Sequence, residues 1–217
     1  MHNILSDHQK DVLESLPQSI RDSFVFSGGT AIAAYYLHHR LSEDLDFVAL
    51  ELGQPVQFNA LKGLLSQRYN IYSANKLYDR CIYFLNVRSS TLKIEFAPLY
   101  FPRIKPTVRQ GYILLESLED LTAHKIMALA DRFEIKDFVD LYFIHLKTGW
   151  DLQAMIEMAR KRNQMPYEYT INVHRIAHYP EGIQSLNFFV PMNADEIISF
   201  FLDADQEIKS TLSSDFD

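Results

Sequence analysis

The chain has 217 residues, 47 % of them hydrophobic, which is enough for the core of one domain or of a domain with a helical addition. Its formal net charge of −7 argues against broad, sequence-independent binding to nucleic acids, although it leaves room for a local basic groove. One cysteine excludes an internal disulfide bond, and neither a membrane-spanning stretch nor a signal-peptide pattern is recognisable. We therefore expect a cytoplasmic protein with no membrane partner.

The first half of the chain alternates between helix and strand signals. Helical patterning covers residues 7–16 and 30–39, the second directly after a Gly-Gly pair, and a further helix is expected near residues 56–68. Strand signals cover residues 45–50, 77–87, 91–99 and 111–116.

From Ser117 onward the pattern changes to helices. Residues 117–133 predict a first helix, and residues 136–149 predict a second helix that Gly149 ends. Further helical segments are expected near residues 151–163, 167–178 and 194–212. The prediction is an α+β fold with an α/β core over residues 1–116 and a helical region over residues 117–217.

Two aspartates, Asp44 and Asp46, stand at the start of the first predicted strand. Residues two apart in a strand point to the same face, so their like charges are costly unless a cation lies between them. A divalent metal such as Mg²⁺ or Mn²⁺ would resolve the repulsion, because hard cations favour oxygen ligands. The alternative is an ordinary polar strand start or an Asx turn.

The Gly-Gly pair lies one short helix before these aspartates. Gly28 and Gly29 can present backbone N–H groups at a helix start, where phosphate is attracted, and the Thr30 hydroxyl adds a helix cap or a phosphate ligand. A phosphate cradle and a metal pair on adjacent elements are two parts that a nucleotide-handling enzyme needs.

The sequence resembles the nucleotidyltransferases of the DNA polymerase β-like superfamily, and among them the AbiEii/AbiGii toxin group. The first matching motif is G-G-T, a short helix, then R-x-S-x-D-x-D-F, carried by Gly28, Gly29, Thr30, Arg40, Ser42, Asp44, Asp46 and Phe47. The second is D-x₄-K and R…KD-x-x-D, carried by Asp120, Lys125, Ala128, Arg132, Lys136, Asp137 and Asp140. The resemblance implies a polymerase β-like core with a mixed sheet, followed by a helical half that completes the nucleotide pocket and offers an acceptor platform.

The resemblance also implies roles for the acidic residues. Asp44 and Asp46 would bind both metals of a two-metal site, and Glu95 would bind the metal near the nucleophile and accept its proton. The family commonly has aspartate at this third position, so Glu95 remains open between direct ligation, activation of the hydroxyl and a surface role. Arg40, four residues before Asp44, is expected to brace the aspartates.

The nucleotide is expected to contact a second set of residues. The resemblance assigns the terminal phosphates to the Gly-Gly-Thr turn and the triphosphate to Lys125, whose compact ammonium suits a phosphate contact. Ser42 and Asp137 are further candidates for nucleotide binding. For Asp137 a salt bridge within the helices is an equal alternative, and for Asp140 that structural role is favoured.

The resemblance implies transfer of a nucleoside monophosphate from an NTP to a hydroxyl, with release of pyrophosphate. Members of the group are toxins of toxin–antitoxin or phage-defence systems, and some modify the acceptor end of tRNA. We therefore expect Mg²⁺ or Mn²⁺, an NTP substrate, a tRNA acceptor and an antitoxin protein as partner, and no DNA. Two alternatives stay open: a small-molecule or protein acceptor, and a non-catalytic interaction module.

Overall fold

The computed structural model describes residues 4–132, 134–164, 183 and 186–214. The chain divides into two compact units, one built from residues 1–36 and 41–117, the other from residues 37–40 and 118–217. No described helix has both the length and the apolar character needed to cross a membrane. The predicted segment near residues 167–178 lies outside the described residues.

The first unit is built on a seven-stranded mixed sheet with strand order β3-β4-β5-β2-β1-β7-β6. Its strands are β1 (Phe24–Ser27), β2 (Leu45–Leu52), β3 (Asn70–Leu77), β4 (Arg80–Val87), β5 (Ser90–Leu99), β6 (Val108–Gln110) and β7 (Ile113–Leu115). Its helices are α1 (Asp7–Ser15), α2 (Gln18–Ser23), α3 (Gly28–Ala31), which continues into a π-helix (Ile32–Leu37), and α4 (Phe58–Ser66). The neighbours β2 and β5 are parallel, whereas β1 and β2 are antiparallel.

One face of this sheet forms the core of the unit. Aromatic side chains from neighbouring strands meet there, with Phe47 stacked on Phe96 and Phe24 packed edge-on against Phe96. Helix α4 covers the same face further along, where Phe58 stacks on Tyr83 and its carbonyl oxygen accepts from the Tyr83 hydroxyl. Because strand side chains alternate, burying this face turns the polar residues of β2 and β5 toward the other one.

The second unit is helical. Its helices are α5 (Leu118–Asp131), α6 (Ile135–Thr148), α7 (Leu152–Asn163) and α8 (Ala194–Ser214). Gly149 ends α6 as predicted, and the Asp151 side chain caps the start of α7 by accepting from the N–H of Ala154. Aromatic contacts join α6 to α8, as between Phe138 and Phe201.

The structure confirms the α+β class and most predicted elements, with four differences in the sheet, one of which is the short, exposed strand β6 that was not predicted. The predicted strand over residues 77–87 is interrupted at Tyr78 and Asp79, where β3 turns into β4. β3 was not predicted because its residues are mostly exposed and do not alternate in polarity. β1 was not predicted because its four residues are all buried and therefore carry no alternation.

Candidate active site

Three carboxylates gather where β2 and β5 run side by side. In this parallel pair Asp46 lies opposite Glu95, so the two side chains share one face of the sheet. Asp44 directly precedes β2 and contacts Lys93, which lies on that same face two residues before Glu95. The three residues predicted to bind metal therefore lie on one face of the sheet.

The Gly-Gly turn meets this face from β1. Ser27, the last residue of β1, pairs with Asp46, and the chain then turns at Gly28, whose φ is 72°. A Cβ atom on Gly28 would collide with the Asp46 carboxylate, so only glycine allows the backbone to approach this closely. The buried Thr30 hydroxyl donates to the backbone carbonyl oxygen of Asp44. The turn is thus fitted to both aspartates.

Helix α1 anchors the segment that leads into β2. The Gln9 amide donates to the carbonyl oxygens of Ser42, at 2.8 Å, and of Glu43, at 3.1 Å. Gln9 is buried, so these bonds are shielded from water. Ser42 thereby sits on a fixed stretch of backbone two residues before Asp44, and its contact with a nucleotide stays a prediction.

Two protein cations hold the carboxylates. The Lys93 ammonium lies 2.9 Å from Oδ2 of Asp44 and 3.5 Å from Oε2 of Glu95, and the Arg80 guanidinium forms an ion pair with Glu95. Burial opposes protonation of Lys93, but its hydrogen bond to Asp44 and the charges of Asp44, Asp46 and Glu95 raise its pKa. Lys93 therefore carries a positive charge at neutral pH. Lys93 was not assigned to the site in the sequence analysis.

The donor set fits a hard divalent cation. All three acidic side chains offer carboxylate oxygens, and the missing side chain at Gly28 leaves room for the Asp46 carboxylate to take its place among them. Within the described part of the chain, no three His, Cys, Asp or Glu side chains form a ready-made metal site. Asp44 and Glu95 instead bind protein cations, so their carboxylates would have to turn toward an incoming ion.

A buried carboxylate at the end of β7 supports the strands that carry the site. Glu116 accepts from the Ser27 hydroxyl at 2.5 Å, and Arg103 lies near it while donating to the carbonyl oxygens of Ala49 and Leu50. These bonds tie the end of β1 to neighbouring elements. Sequence analysis did not single out Glu116, and Ser27 lies 89 positions away, so no short spacing signals the pair.

The second unit contains a buried network of charged groups. Lys125 on α5 contacts Asp137 at 2.6 Å and Asp140 at 2.7 Å, both on α6. Asp140 also accepts from the Arg40 guanidinium at 2.6 Å and 2.7 Å and from the His39 ring at 2.8 Å. All five side chains are buried. Asp140 therefore is the hub of the network, which agrees with the structural role favoured for it.

The charges in this network are set by its own members. Burial opposes ionisation of Asp140, but the charges of Arg40 and Lys125 and the bonds from His39 and Arg40 hold its pKa well below its usual value. Burial likewise opposes protonation of Lys125, but Asp140 and Asp137 raise its pKa. Burial lowers the pKa of His39, so the ring is neutral at neutral pH and donates from Nε2 to the carboxylate.

Arg40 and Asp120, two further residues of the predicted motifs, form buried ion pairs in the helical unit. Arg40 was expected to brace the paired aspartates of β2, and its guanidinium binds Asp140 of the helical unit. Asp120, the first residue of the D-x₄-K motif, forms an ion pair of 3.1 Å with Arg162 of α7. Both sides of this pair are buried, so Arg162 belongs to the packing of α5 against α7 and not to an exposed basic surface.

Comparison with known proteins places the chain in a family. A match to the family described as nucleotidyl transferase AbiEii toxin, type IV toxin–antitoxin system, covers residues 11–207. An uncharacterized protein of Aquifex aeolicus (strain VF5) is 24 % identical over 200 residues, covering 91 % of this chain and 94 % of its own.

Solved structures share the fold at low sequence identity. The crystal structure of JHP933 from Helicobacter pylori has a TM-score of 0.57 and 18 % identity, and 97 % of each chain is covered. MenT4, a nucleotidyltransferase toxin from Mycobacterium tuberculosis H37Rv, has a TM-score of 0.57 and 16 % identity, covering 84 % of this chain and 74 % of its own. The chain belongs to the AbiEii nucleotidyl transferase toxin family of type IV toxin–antitoxin systems, and it is a nucleotidyltransferase.

Proposed function

We propose that this chain uses a divalent metal ion to transfer a nucleoside monophosphate from an NTP to a hydroxyl group of tRNA. The observation that carries the proposal is the pairing of Asp46 with Glu95 across parallel strands, with Asp44 on the same face and Gly28 packed against Asp46. Family membership implies the NTP substrate and an antitoxin partner. The acceptor and the dependence on metal are the parts that need testing.

Each residue at the sheet has a separate task in this proposal. Asp44, Asp46 and Glu95 would hold the metal, which supplies positive charge to the triphosphate and to the departing pyrophosphate. Gly28 packs against Asp46, and Gly28 with Gly29 is assigned to the terminal phosphates. Thr30 fixes the backbone of Asp44 through its hydrogen bond, so we assign it a positioning role.

The reaction itself forms one bond and breaks one. The acceptor hydroxyl oxygen bonds to the α-phosphorus, the bond from that phosphorus to the pyrophosphate oxygen breaks, and pyrophosphate leaves. The hydroxyl proton passes to a carboxylate oxygen of Glu95. Because Arg80 and Lys93 both contact Glu95, this residue is held in place before any substrate arrives.

Lys125 and Asp137 remain proposed nucleotide contacts. An ammonium group has three N–H donors, and among the described residues Lys125 contacts two acceptors, Asp137 and Asp140. One donor thus stays available for a phosphate oxygen. Oδ2 of Asp137 is buried and accepts no hydrogen bond from the described residues, although the Arg132 guanidinium lies 3.5 Å from it, and this oxygen is the one we assign to a hydroxyl or base N–H of the nucleotide.

A second acceptor class needs a parallel test, because three arginines in the basic segments 103–109 and 160–162 are paired with other groups of this chain. Arg162 pairs with Asp120, Arg160 pairs with Glu157, and Arg103 donates to backbone carbonyls. Binding of tRNA relies on cations that face the phosphates. Internal pairing of these arginines favours a small-molecule or protein acceptor as the alternative to tRNA.

The proposal is tested by incubating the purified chain with Mg²⁺, each α-³²P-labelled NTP, and tRNA, cell-extract protein or small hydroxyl compounds in separate reactions. We expect label on tRNA, with a loss of about 100-fold or more in Asp46→Asn, since a metal contributes several kcal/mol of charge stabilisation. Glu51→Gln is the matched control, an exposed carboxylate on the same strand. Label on protein or on small compounds alone would refute the tRNA acceptor, and transfer unaffected by EDTA would refute the role of the metal.

A further inference from the structure

Lys93 occupies a particular place among the three carboxylates. It lies on β5 two residues before Glu95, and Glu95 is paired with Asp46 of β2. The Lys93 ammonium contacts Asp44, the residue before β2, at 2.9 Å and Glu95 at 3.5 Å. The four side chains thus form one cluster on this face of the sheet, with three acidic members and one basic member.

The net charge of this cluster differs from that of three carboxylates without neighbouring cations. Three carboxylates bring three negative charges, and Lys93 with Arg80 cancels two of them. Three carboxylates with two divalent ions carry one net positive charge. The same carboxylates with Lys93, Arg80 and only one divalent ion carry that same net charge.

The positions of the side chains also indicate a single divalent ion. Two-metal sites place their ions about 3.5–4 Å apart, each bound to shared carboxylates. A second ion that bridged Oδ2 of Asp44 and Oε2 of Glu95 would have to stand where the Lys93 ammonium now contacts these two atoms. The single ion of the proposed function would instead be held through the remaining carboxylate oxygens of Asp44, Asp46 and Glu95. An ion and an ammonium cannot both occupy that position, because they repel each other and compete for the same oxygens.

We propose that Lys93 takes the place of the second divalent ion, so that this chain binds one divalent ion per active site. The inference rests on the proposed metal-dependent transfer and narrows the two-metal assignment that the family resemblance implies. Lys93 acts as a positioning residue: it holds Asp44 and Glu95 at fixed distance without contributing a bond to the reaction.

The test counts Mn²⁺ ions bound to the full chain in complex with an equimolar non-hydrolysable NTP analogue, from the EPR signal of free Mn²⁺. We expect one ion per complex in the wild-type chain and two in Lys93→Met, which removes the charge and keeps the length of the side chain. A spin-coupled Mn²⁺ pair should appear in the spectrum of Lys93→Met alone. Lys93→Arg, which keeps the charge, should return the count to one.

A matched control is Lys76→Met, because Lys76 is an exposed lysine of the same sheet, on β3, and should leave the count at one. Two coupled ions in the wild-type chain would overturn the inference, whether or not the Lys93 variants fold. One ion in a folded Lys93→Met variant would overturn it as well. Absence of any bound Mn²⁺ in every variant would instead refute the proposed use of metal, which separates the two failures.

Discussion

The close approach of the Gly28 backbone to the Asp46 carboxylate gives the sharpest prediction. Gly28 has φ 72°, and a Cβ atom there would collide with the Asp46 carboxylate. Gly53 has the same φ of 72°, but a Cβ atom there would meet nothing within 4 Å. Gly28→Ala and Gly53→Ala therefore impose the same backbone strain, and only the first displaces a carboxylate.

The magnitudes of the two effects can be separated. A left-handed conformation costs a residue with a side chain about 1–2 kcal/mol, which corresponds to a fall of about 2–8 °C in the melting temperature of a chain of this size. Both variants should show this loss. In Gly28→Ala the Asp46 carboxylate must also move, and a displacement of about 1 Å in a catalytic group can cost about 100-fold in rate.

The measurement pairs thermal unfolding with the labelled-NTP transfer assay on both variants. We expect similar melting temperatures for the two, near-normal transfer by Gly53→Ala, and a loss of about 100-fold in Gly28→Ala. Equal transfer rates would refute the reasoning, because they would show that the carboxylate at Asp46 need not hold the position that the glycine secures. A much larger stability loss in Gly28→Ala would mean that the collision disrupts the fold and not only the site.

Three further predictions concern the buried network of the helical unit. Asp140→Ala leaves buried cations without their shared carboxylate, so it should lower the free energy of unfolding by about 3–5 kcal/mol. Guanidinium titrations measure this loss. The control is Asp195→Ala, a change at an exposed aspartate, which should alter the free energy of unfolding by less than about 0.5 kcal/mol. The pKa of Asp140 in the folded state lies well below its usual value of 3.8. The stability that the ionised Asp140 contributes is therefore complete above pH 3.8 and is lost as the pH falls through the folded-state pKa. On acidification, the melting temperature of Asp140→Asn should fall less steeply than that of the wild-type chain. Lys125→Met should weaken NTP binding by at least about 10-fold in calorimetry while Lys136→Met should not, and equal affinities would make Lys125 a structural residue only.

The sequence shows the acidic residues of the site but not their cationic partners. Alternation along single strands is enough to put Asp44 and Asp46 on one face and Glu95 on one face of its own strand. It does not show that β2 and β5 are neighbours in the sheet, because helix α4 and strands β3 and β4 lie between them along the chain. Only the structure shows the Lys93 ammonium in contact with Asp44, and so the role proposed for Lys93 required the structure.

In the helical unit, too, the sequence does not show which residues pair when they lie far apart along the chain. The resemblance to the family's D-x₄-K and KD-x-x-D motifs singles out Lys125, Asp137 and Asp140, and the structure brings these three together. Arg40 lies 100 positions before Asp140, and no periodicity of the sequence connects the two. The sequence thus suggested that Arg40 neutralises a carboxylate, but it did not identify Asp140 as that carboxylate.

The motif R-x-S-x-D-x-D consequently serves two structural purposes within seven residues. Residues 37–40 belong to the helical unit, where Arg40 neutralises Asp140, while the chain from residue 41 belongs to the sheet unit, where Asp44 binds Lys93. A change at Arg40 should act first on stability, since it leaves a buried carboxylate short of its cation. A change at Asp44 should act first on metal binding and transfer, since this side chain is partly exposed and its neighbour Lys93 can reorient. Residues that are adjacent in one motif are thus expected to give different phenotypes, and the division between the two units is the reason.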